Sequence, residues 1–311
     1  MDAVTPVLDA FHLHASVFER SRFCGHWALT HAGGQHASFH LVSSGRCWLD
    51  RMDGEAPLEL GPGDLLVMPR DAPHRLGPGQ DIGPDREPER RPLDAEGDGP
   101  GLVCGYFAFD EGMHNPILDA LPDYLVISAG EMRDDRSLQR LVDLLIDESA
   151  REAMGGEAMV NHLADALFIG VVRHYLATAE QPVGLLAALA DPALHRALAA
   201  LHSRPAEHWT LDTLARTAAV SRSVLAERFT RTLGVAPMTW LFRWRMQIAL
   251  RRLRGGEAVA SVATTSGYAT ESGFAKAFAR HFGYGPGAAR RSDRLNSRRA
   301  APADERSPDH R

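Results

Sequence analysis

The chain of 311 residues is 44% hydrophobic and 24% charged, enough for two ordinary domains with separate cores. No apolar run is long enough to span a bilayer and the first residues do not form a secretory signal, so a cytoplasmic protein is expected. The net charge of −6 hides an asymmetry: 14 arginines against 30 acidic side chains through residue 190 (−16), then 16 basic against 7 acidic over residues 191–295 (+9), which points to polyanion binding by the C-terminal part alone.

Residues 20–76 alternate apolar and polar side chains, as in Phe39-His40-Leu41-Val42, Cys47-Trp48-Leu49 and Leu65-Leu66-Val67-Met68, with Gly45, Gly54 and Gly61-Pro62-Gly63 between the runs. Several short strands in succession predict a β-sandwich or barrel. Residues 77–101 are crowded with Gly, Pro, Asp, Glu and Arg and read as a flexible surface loop, because they offer little apolar surface to bury. Residues 102–109 resume the sheet. Two helices are expected next, one marked by Leu138, Leu141, Leu144 and Leu145, the other by Leu163, Leu167, Val171 and Tyr175, with Gly155-Gly156 between them. Their apolar stripes are expected to cover either the sheet or a second subunit, and spacing does not separate the two. Residues 292–311, rich in Arg, Ser, Pro and Asp, are expected to form a disordered tail.

The last third nearly repeats itself. Residues 214–229 are echoed by 262–278, and each copy reads as a short helix, a tight turn and a second amphipathic helix. In the first copy Thr210 and Ser221 stand at cap positions, Ala215 is small where two helices must approach, and Leu225 and Phe229 face a core. In the second, Ala263 takes the small position, Gly267 the turn, Thr270 the cap, and Phe274, Phe278 and Phe282 the core stripe. Arg222, Ser223, Ala226, Glu227 and Thr230 are left outward on one second helix; Glu271, Ser272, Ala275, Lys276 and Arg280 on the other. Lys276 is the only lysine in the chain. Pro237 opens a long helix through Trp240, Leu241, Trp244, Ile248 and Leu253 that joins the copies, with Arg243, Arg245, Arg251, Arg252 and Arg254 expected near phosphates or in solvent.

Residues 192–291 resemble an AraC/XylS-type DNA-binding domain. Gly267-Tyr268, Gly273-Phe274, Ala277-Phe278, Phe282-Gly283, Pro286 and Arg290 match that family's C-terminal signature, and Ser221, Leu225, Phe229, Gly234 and Pro237 match its first unit. The resemblance implies a transcription regulator with two recognition helices in successive major grooves of promoter DNA. DNA contacts then fall on Arg222, Ser223, Ala226, Glu227, Glu271, Ser272, Gly273, Ala275 and Lys276. Glu227 departs from the family, which often carries a basic residue there; an ion pair with Arg231 or acceptance from a cytosine amino group are its two roles.

Residues 11–75 resemble the degenerate cupin sensor domain of one branch of the same family, through Phe39-His40-Leu41-Val42, Gly45, Leu60-Gly61-Pro62-Gly63-Asp64 and Pro69 to Pro73-His74, together with Cys104-Gly105, Asn115-Pro116 and Leu121-Pro122. Enzymatic cupins hold a metal with a His-x-His pair, a Glu and a later His; that pair and the Glu are missing here. A zinc or iron site would have to be assembled from His40, His74, Cys104 and Cys24, and Cys24 and Cys104 also allow a redox-sensing role. Three cysteines without a paired framework suit a reducing compartment.

The expected architecture is α+β and multidomain: a cupin-like β-barrel with following helices over 8–182 and an all-α tandem helix-turn-helix domain over 192–291. The expected function is sequence-specific regulation of transcription controlled by a signal at the N-terminal domain, without catalysis or a required cofactor. Candidate partners besides DNA are RNA polymerase, a small-molecule or redox effector and a second copy of the chain. The alternative is a metal-dependent cupin enzyme with a helical appendage.

Overall fold

In the computed structural model residues 5–10, 13–34, 36–109 and 115–291 are described, so the expected tail from 292 lies outside the described residues. The chain forms two compact units, one of residues Phe11–Ala190 and one of residues from Asp191 onward together with those up to Ala10. The second unit therefore takes in α1 (Thr5–Ala10), ahead of the barrel.

The sheet unit contains β1 (His14–Cys24), β2 (Leu29–His31), β3 (Ala37–Ser44), β4 (Cys47–Asp50), β5 (Leu58–Leu60), β6 (Leu65–Met68), β7 (His74–Gly77), β8 (Glu89–Pro92), β9 (Gly101–Ala108) and β10 (Leu125–Ile127). They make a six-stranded sheet in the order β10-β6-β3-β9-β1-β8 and a four-stranded sheet in the order β2-β7-β4-β5. One core cluster draws Phe23, Val42, Leu66 and Leu102 from the first sheet and Cys47, Leu49, Leu60 and Leu76 from the second, so the sheets close on each other as the alternating pattern requires. Each fully buried Leu or Phe contributes about 1.5–3 kcal/mol.

The other face of the large sheet carries Ala15, Phe39, Leu41, Val67, Val103 and Phe107, all buried. In chain order α2 (Pro116–Ala120) separates β9 from β10, and α3 (Ala129–Met132) follows β10. Two long helices, α4 (Arg136–Ser149) and α5 (Gly156–Thr178), then pair with each other, and α5 lies against β1 and β9. Phe168 of α5 meets Phe107 at 5.0 Å between ring centroids. Asp165 and Asn161 on the same helix accept hydrogen bonds from the backbone N–H groups of Ala15 and Val17, at 2.6 and 3.0 Å. The α5 stripe thus covers the sheet and α4 packs on α5 rather than on the strands, while Leu144, Met159 and Ile169 stay exposed. Helix α6 (Gly184–Ala190), which the expected boundary at 182 left out, packs with α2 and completes this unit.

The segment expected to be a loose loop is partly sheet. β8 pairs with β1 from Ser21↔Pro92 to Cys24↔Glu89, and all four of its side chains are exposed. The expectation rested on apolar burial, but an edge strand is held by backbone hydrogen bonds and needs none. Ion pairs Arg90–Glu19 at 2.8 Å and Arg91–Glu89 at 2.7 Å line it, and the Arg22 guanidinium donates to the carbonyl of Gly99 at 2.7 Å.

Among the described residues the C-terminal unit is all helix apart from its turns and loops. It comprises α7 (Pro192–Ser203), α8 (Leu211–Ala218), α9 (Arg222–Leu233), α10 (Pro237–Arg254), α11 (Val259–Thr265) and α12 (Glu271–Phe282). Asp191 caps α7 by accepting from the N–H groups of Ala193 and Leu194. Leu198, Leu214, Phe229, Met246, Leu250, Phe274 and Phe278 are fully buried or nearly so. α1 packs on α7 and α10 with Val7 fully buried. Among the described residues no single helix is long and apolar enough to cross a membrane.

Candidate nucleic-acid interface

Each helix-turn-helix is built by the same local chemistry. Thr210 caps α8 by accepting from the N–H of Thr213, and Ser221 caps α9 by accepting from that of Val224. Thr270 does the same for α12 through Gly273. The sharp turn of the first unit puts Ala219 at φ 57°, and that of the second puts Gly267 at φ 80°. Left-handed backbone is cheap for glycine and costs an alanine about 1–2 kcal/mol, so the first turn is held against its own preference. Ala215 and Ala263, the small residues at the close contacts, are 3% and 2% exposed.

On α9 the side chains of Leu225 and Phe229 are buried, which leaves Arg222, Ser223 and Glu227 exposed and Ala226 half-buried. On α12 Phe274 and Phe278 are buried, Glu271, Ser272 and Lys276 are exposed, and Gly273 and Ala275 are half-buried. Two charges on α9 already have partners: Arg222 pairs with Asp212 at 3.1 Å and Glu227 with Arg231 at 3.1 Å, all four well exposed. Such exposed pairs are worth little and open readily. Lys276 makes no ion pair among the described residues, so its ammonium is available without breaking anything.

The arginines of α10 are not the uniform phosphate-facing or solvated set that the sequence led one to expect. Arg243 is exposed, but Arg252 pairs with Glu257 at 2.7 Å. Arg245 is half-buried and donates to the backbone carbonyls of Pro205 at 2.6 Å and Glu207 at 2.8 Å. Helical periodicity placed Arg245 on the helix, but it could not show which carbonyls the neighbouring loop presents.

A partly open cavity of about 260 Å³ in the sheet unit has a lining that includes Glu19, His31, His40, His74, Arg90 and Cys104. His40 and Cys104 are cross-strand partners, and a bulge between Val17 and Glu19 sets Glu19 opposite Cys104. The Nε2 atoms of His40 and His74 are 2.9 Å apart. His74 Nδ1 is 2.9 Å from the carbonyl of Ala72, which can only accept, so that nitrogen carries the proton and the Nε2 of neutral His74 is a lone pair. His40 Nε2–H therefore donates to it, and the buried Nδ1 of His40 is left without a partner.

Burial holds both imidazoles below the usual 6.5, His40 well below it. The folded protein keeps them neutral, whereas the unfolded chain takes up protons once the pH falls below about 6.5. Their contribution to stability is therefore present above that pH and is lost as the pH falls toward the folded values. We expect the stability of the sheet unit to drop by up to about 1.4 kcal/mol per pH unit per imidazole below pH 6.5. Urea titrations at pH 7.5 and 5.5 check this, and His40→Gln with His74→Gln should flatten the difference.

Among the described residues no group of three or more His, Cys, Asp or Glu side chains is arranged to hold an ion. Two of the four expected ligands are hydrogen-bonded to each other, and burial pushes the Cys104 thiol well above its usual range. Cys24 is not part of the cavity lining; it is buried on the opposite side of β1 from Phe23, with its sulfur 3.6 Å from the place a Cβ on Gly97 would take. Cys47, also buried, is raised to about 12.

A cupin family model matches residues 2–177, and a helix-turn-helix domain model matches residues 214–292. A protein of Streptomyces lividans described as an AraC-like transcription regulator is 34% identical over 306 residues, covering 92% of this chain and 95% of that protein. The chain belongs to the AraC-like transcription regulators. A second AraC-like regulator, from Streptomyces antibioticus, is also 34% identical, over 296 residues, covering 92% of this chain and 96% of its own length. Among solved structures, the DNA-binding domain of AdpA in complex with a target DNA is 30% identical and covers 35% of this chain and 99% of its own, with a TM-score of 0.33.

Within this AraC-like chain, sequence reasoning found the capped helices and three of the cavity residues. It missed Glu19, His31 and Arg90, because a bulge and an edge strand bring them to the cavity and neither leaves a periodic signal. The enzyme alternative finds no support in these relatives.

Proposed function

We propose that the chain reads promoter DNA by laying α9 and α12 in successive major grooves, and that a ligand in the barrel cavity controls this binding. The observation that carries the reading is the repeat: two 12-residue helices, each side-chain-capped at its N-terminus and each exposing polar residues in its first turns, joined by one 18-residue helix. At 1.5 Å per residue that helix is about 27 Å long, on the scale of the roughly 34 Å between major grooves on one face of DNA.

The DNA contacts fall to Arg222, Ser223, Ala226 and Glu227 on α9, and to Glu271, Ser272, Gly273, Ala275 and Lys276 on α12. Residues at the start of a recognition helix reach base edges, and the basic ones also meet phosphates. The partnerless His40 Nδ1 and the Arg90–Glu19 pair give the cavity polar groups for a small effector. To control binding, that effector must favour one arrangement of the chain over another. The work is regulatory rather than catalytic, and its place is the cytoplasm, where the DNA is.

Lys276→Ala is expected to weaken binding of the full chain to a duplex it selects from a random library by about tenfold, and to lower the slope of log affinity against log salt by about one if the ammonium meets phosphate. Arg298→Ala, outside the described residues, is expected to change little. Gel-shift titrations over a salt series measure both, and equal losses would contradict the assignment.

A further inference from the structure

Arg245 joins parts of the C-terminal unit that the helix-turn-helix repeat keeps separate. It sits in the middle of α10, the helix between the two units. Its guanidinium donates to the carbonyls of Pro205 and Glu207, in the loop that leads into α8 of the first unit. The same guanidinium packs against the turn of the second: a Cβ built on Gly267 would stand 3.3 Å from Arg245 Cζ and 3.0 Å from the carbonyl oxygen of Ala206. The loop before the first reader and the turn of the second are thus in contact, with one planar cation wedged where they meet.

Among the described residues no carboxylate pairs with that cation, and burial lowers its pKa from the usual arginine value. Its interactions go instead to fixed backbone carbonyls, which a planar fork of donors suits and which leave little play. Arg196 offers a contrast, since its donors reach the carbonyl of Ala218 at the end of α8 and so tie α7 to the first unit.

We infer that Arg245 is a positioning residue that fixes the offset between α9 and α12, and so selects which spacing of DNA half-sites the chain accepts. This rests on the DNA-reading proposal above. A helix alone leaves each reader free to rock about its own contacts, whereas a clasp from the middle of α10 to both flanks removes that freedom. Moving one half-site by a single base pair displaces it by about 3.4 Å and turns it by roughly 35°, which a rigid pair of readers cannot follow.

The test uses the full chain and a duplex that the wild type selects from a randomised library. Affinities are measured for that duplex, for versions with one base pair inserted or removed between the half-sites, and for a duplex keeping only one half-site. For the wild type we expect each displacement to cost about tenfold or more, the scale of a mismatch. For Arg245→Met we expect the intact duplex to bind more weakly, the displacement penalty to shrink to within about threefold, and half-site affinity to stay unchanged. Arg245→Lys, which keeps the charge and can still reach one carbonyl, should fall between them, and it carries the test if Arg245→Met does not fold.

An unchanged displacement penalty in the folded variant overturns the inference, as does loss of half-site binding in step with intact-duplex binding, which marks a merely structural role. If the wild type selects no duplex at all, the DNA-reading proposal fails and this inference falls with it.

Discussion

Phe278→Ala is expected to destabilise the C-terminal unit by about 3–5 kcal/mol, a large share of the 5–15 kcal/mol that holds an ordinary domain together. Phe278 is fully buried in α12, with the rings of Phe282, Phe274 and Tyr284 at 4.6, 5.6 and 6.1 Å. Removing the ring deletes apolar contact and leaves a void that neighbours fixed on a short helix fill only in part. Because α12 carries Lys276 and its flanking residues, DNA affinity should fall with stability, even though Phe278 itself is inaccessible to a duplex. Urea unfolding followed by tryptophan fluorescence, with Trp240 and Trp244 in the same unit, reads the loss. A change below about 1 kcal/mol would mean that the ring is not the keystone its burial indicates.

Gly105→Val is expected to cost the sheet unit about 3 kcal/mol or more, by overpacking rather than by a void. Gly105 stands opposite Phe39 in the β3–β9 register and opposite Val17 in the β1–β9 register. A Cβ there would lie 2.5 Å from Phe39 Cε1 and 2.6 Å from the backbone oxygen of Ser16. The ring could swing away, but the carbonyl is held in the sheet, so Phe39→Leu should rescue the substitution only in part. Differential scanning calorimetry of the full chain should show the transition of the sheet unit shifted down and that of the C-terminal unit little changed. Movement of both transitions together would show that the two units do not unfold independently.

How much of this was legible in the sequence depended on the kind of signal. The C-terminal unit was read closely, because caps such as Thr210, Ser221 and Thr270, the phenylalanine spacing in α12 and Pro237 at the start of α10 are local, and local chemistry suffices for short helices. The barrel was legible as alternating strands, yet its edge was not. Glu89 to Pro92 pair through backbone groups with every side chain exposed, so composition pointed to a loop. That α5 covers the sheet turned on Asp165 and Asn161, polar residues that periodicity treats as the wet face, whereas α4 packs on α5. Side-chain direction was not legible either: His40 and His74 do meet, but Cys24 is not part of the cavity lining. Arg245 was misread for the same reason, since the sequence showed a charge but not the carbonyls waiting for it.

The two turns of the tandem readers are not interchangeable copies. At Ala219 the methyl group is exposed, so other side chains can follow there at a similar strain cost, and a glycine would relieve it. At Gly267 the same backbone twist is crowded by the Ala206 carbonyl and the Arg245 guanidinium, so a side chain there adds the displacement of both neighbours to the strain. If the halves arose by duplication, they have since become unequal in what they tolerate: one corner remains free to vary, while the other is locked by its neighbours.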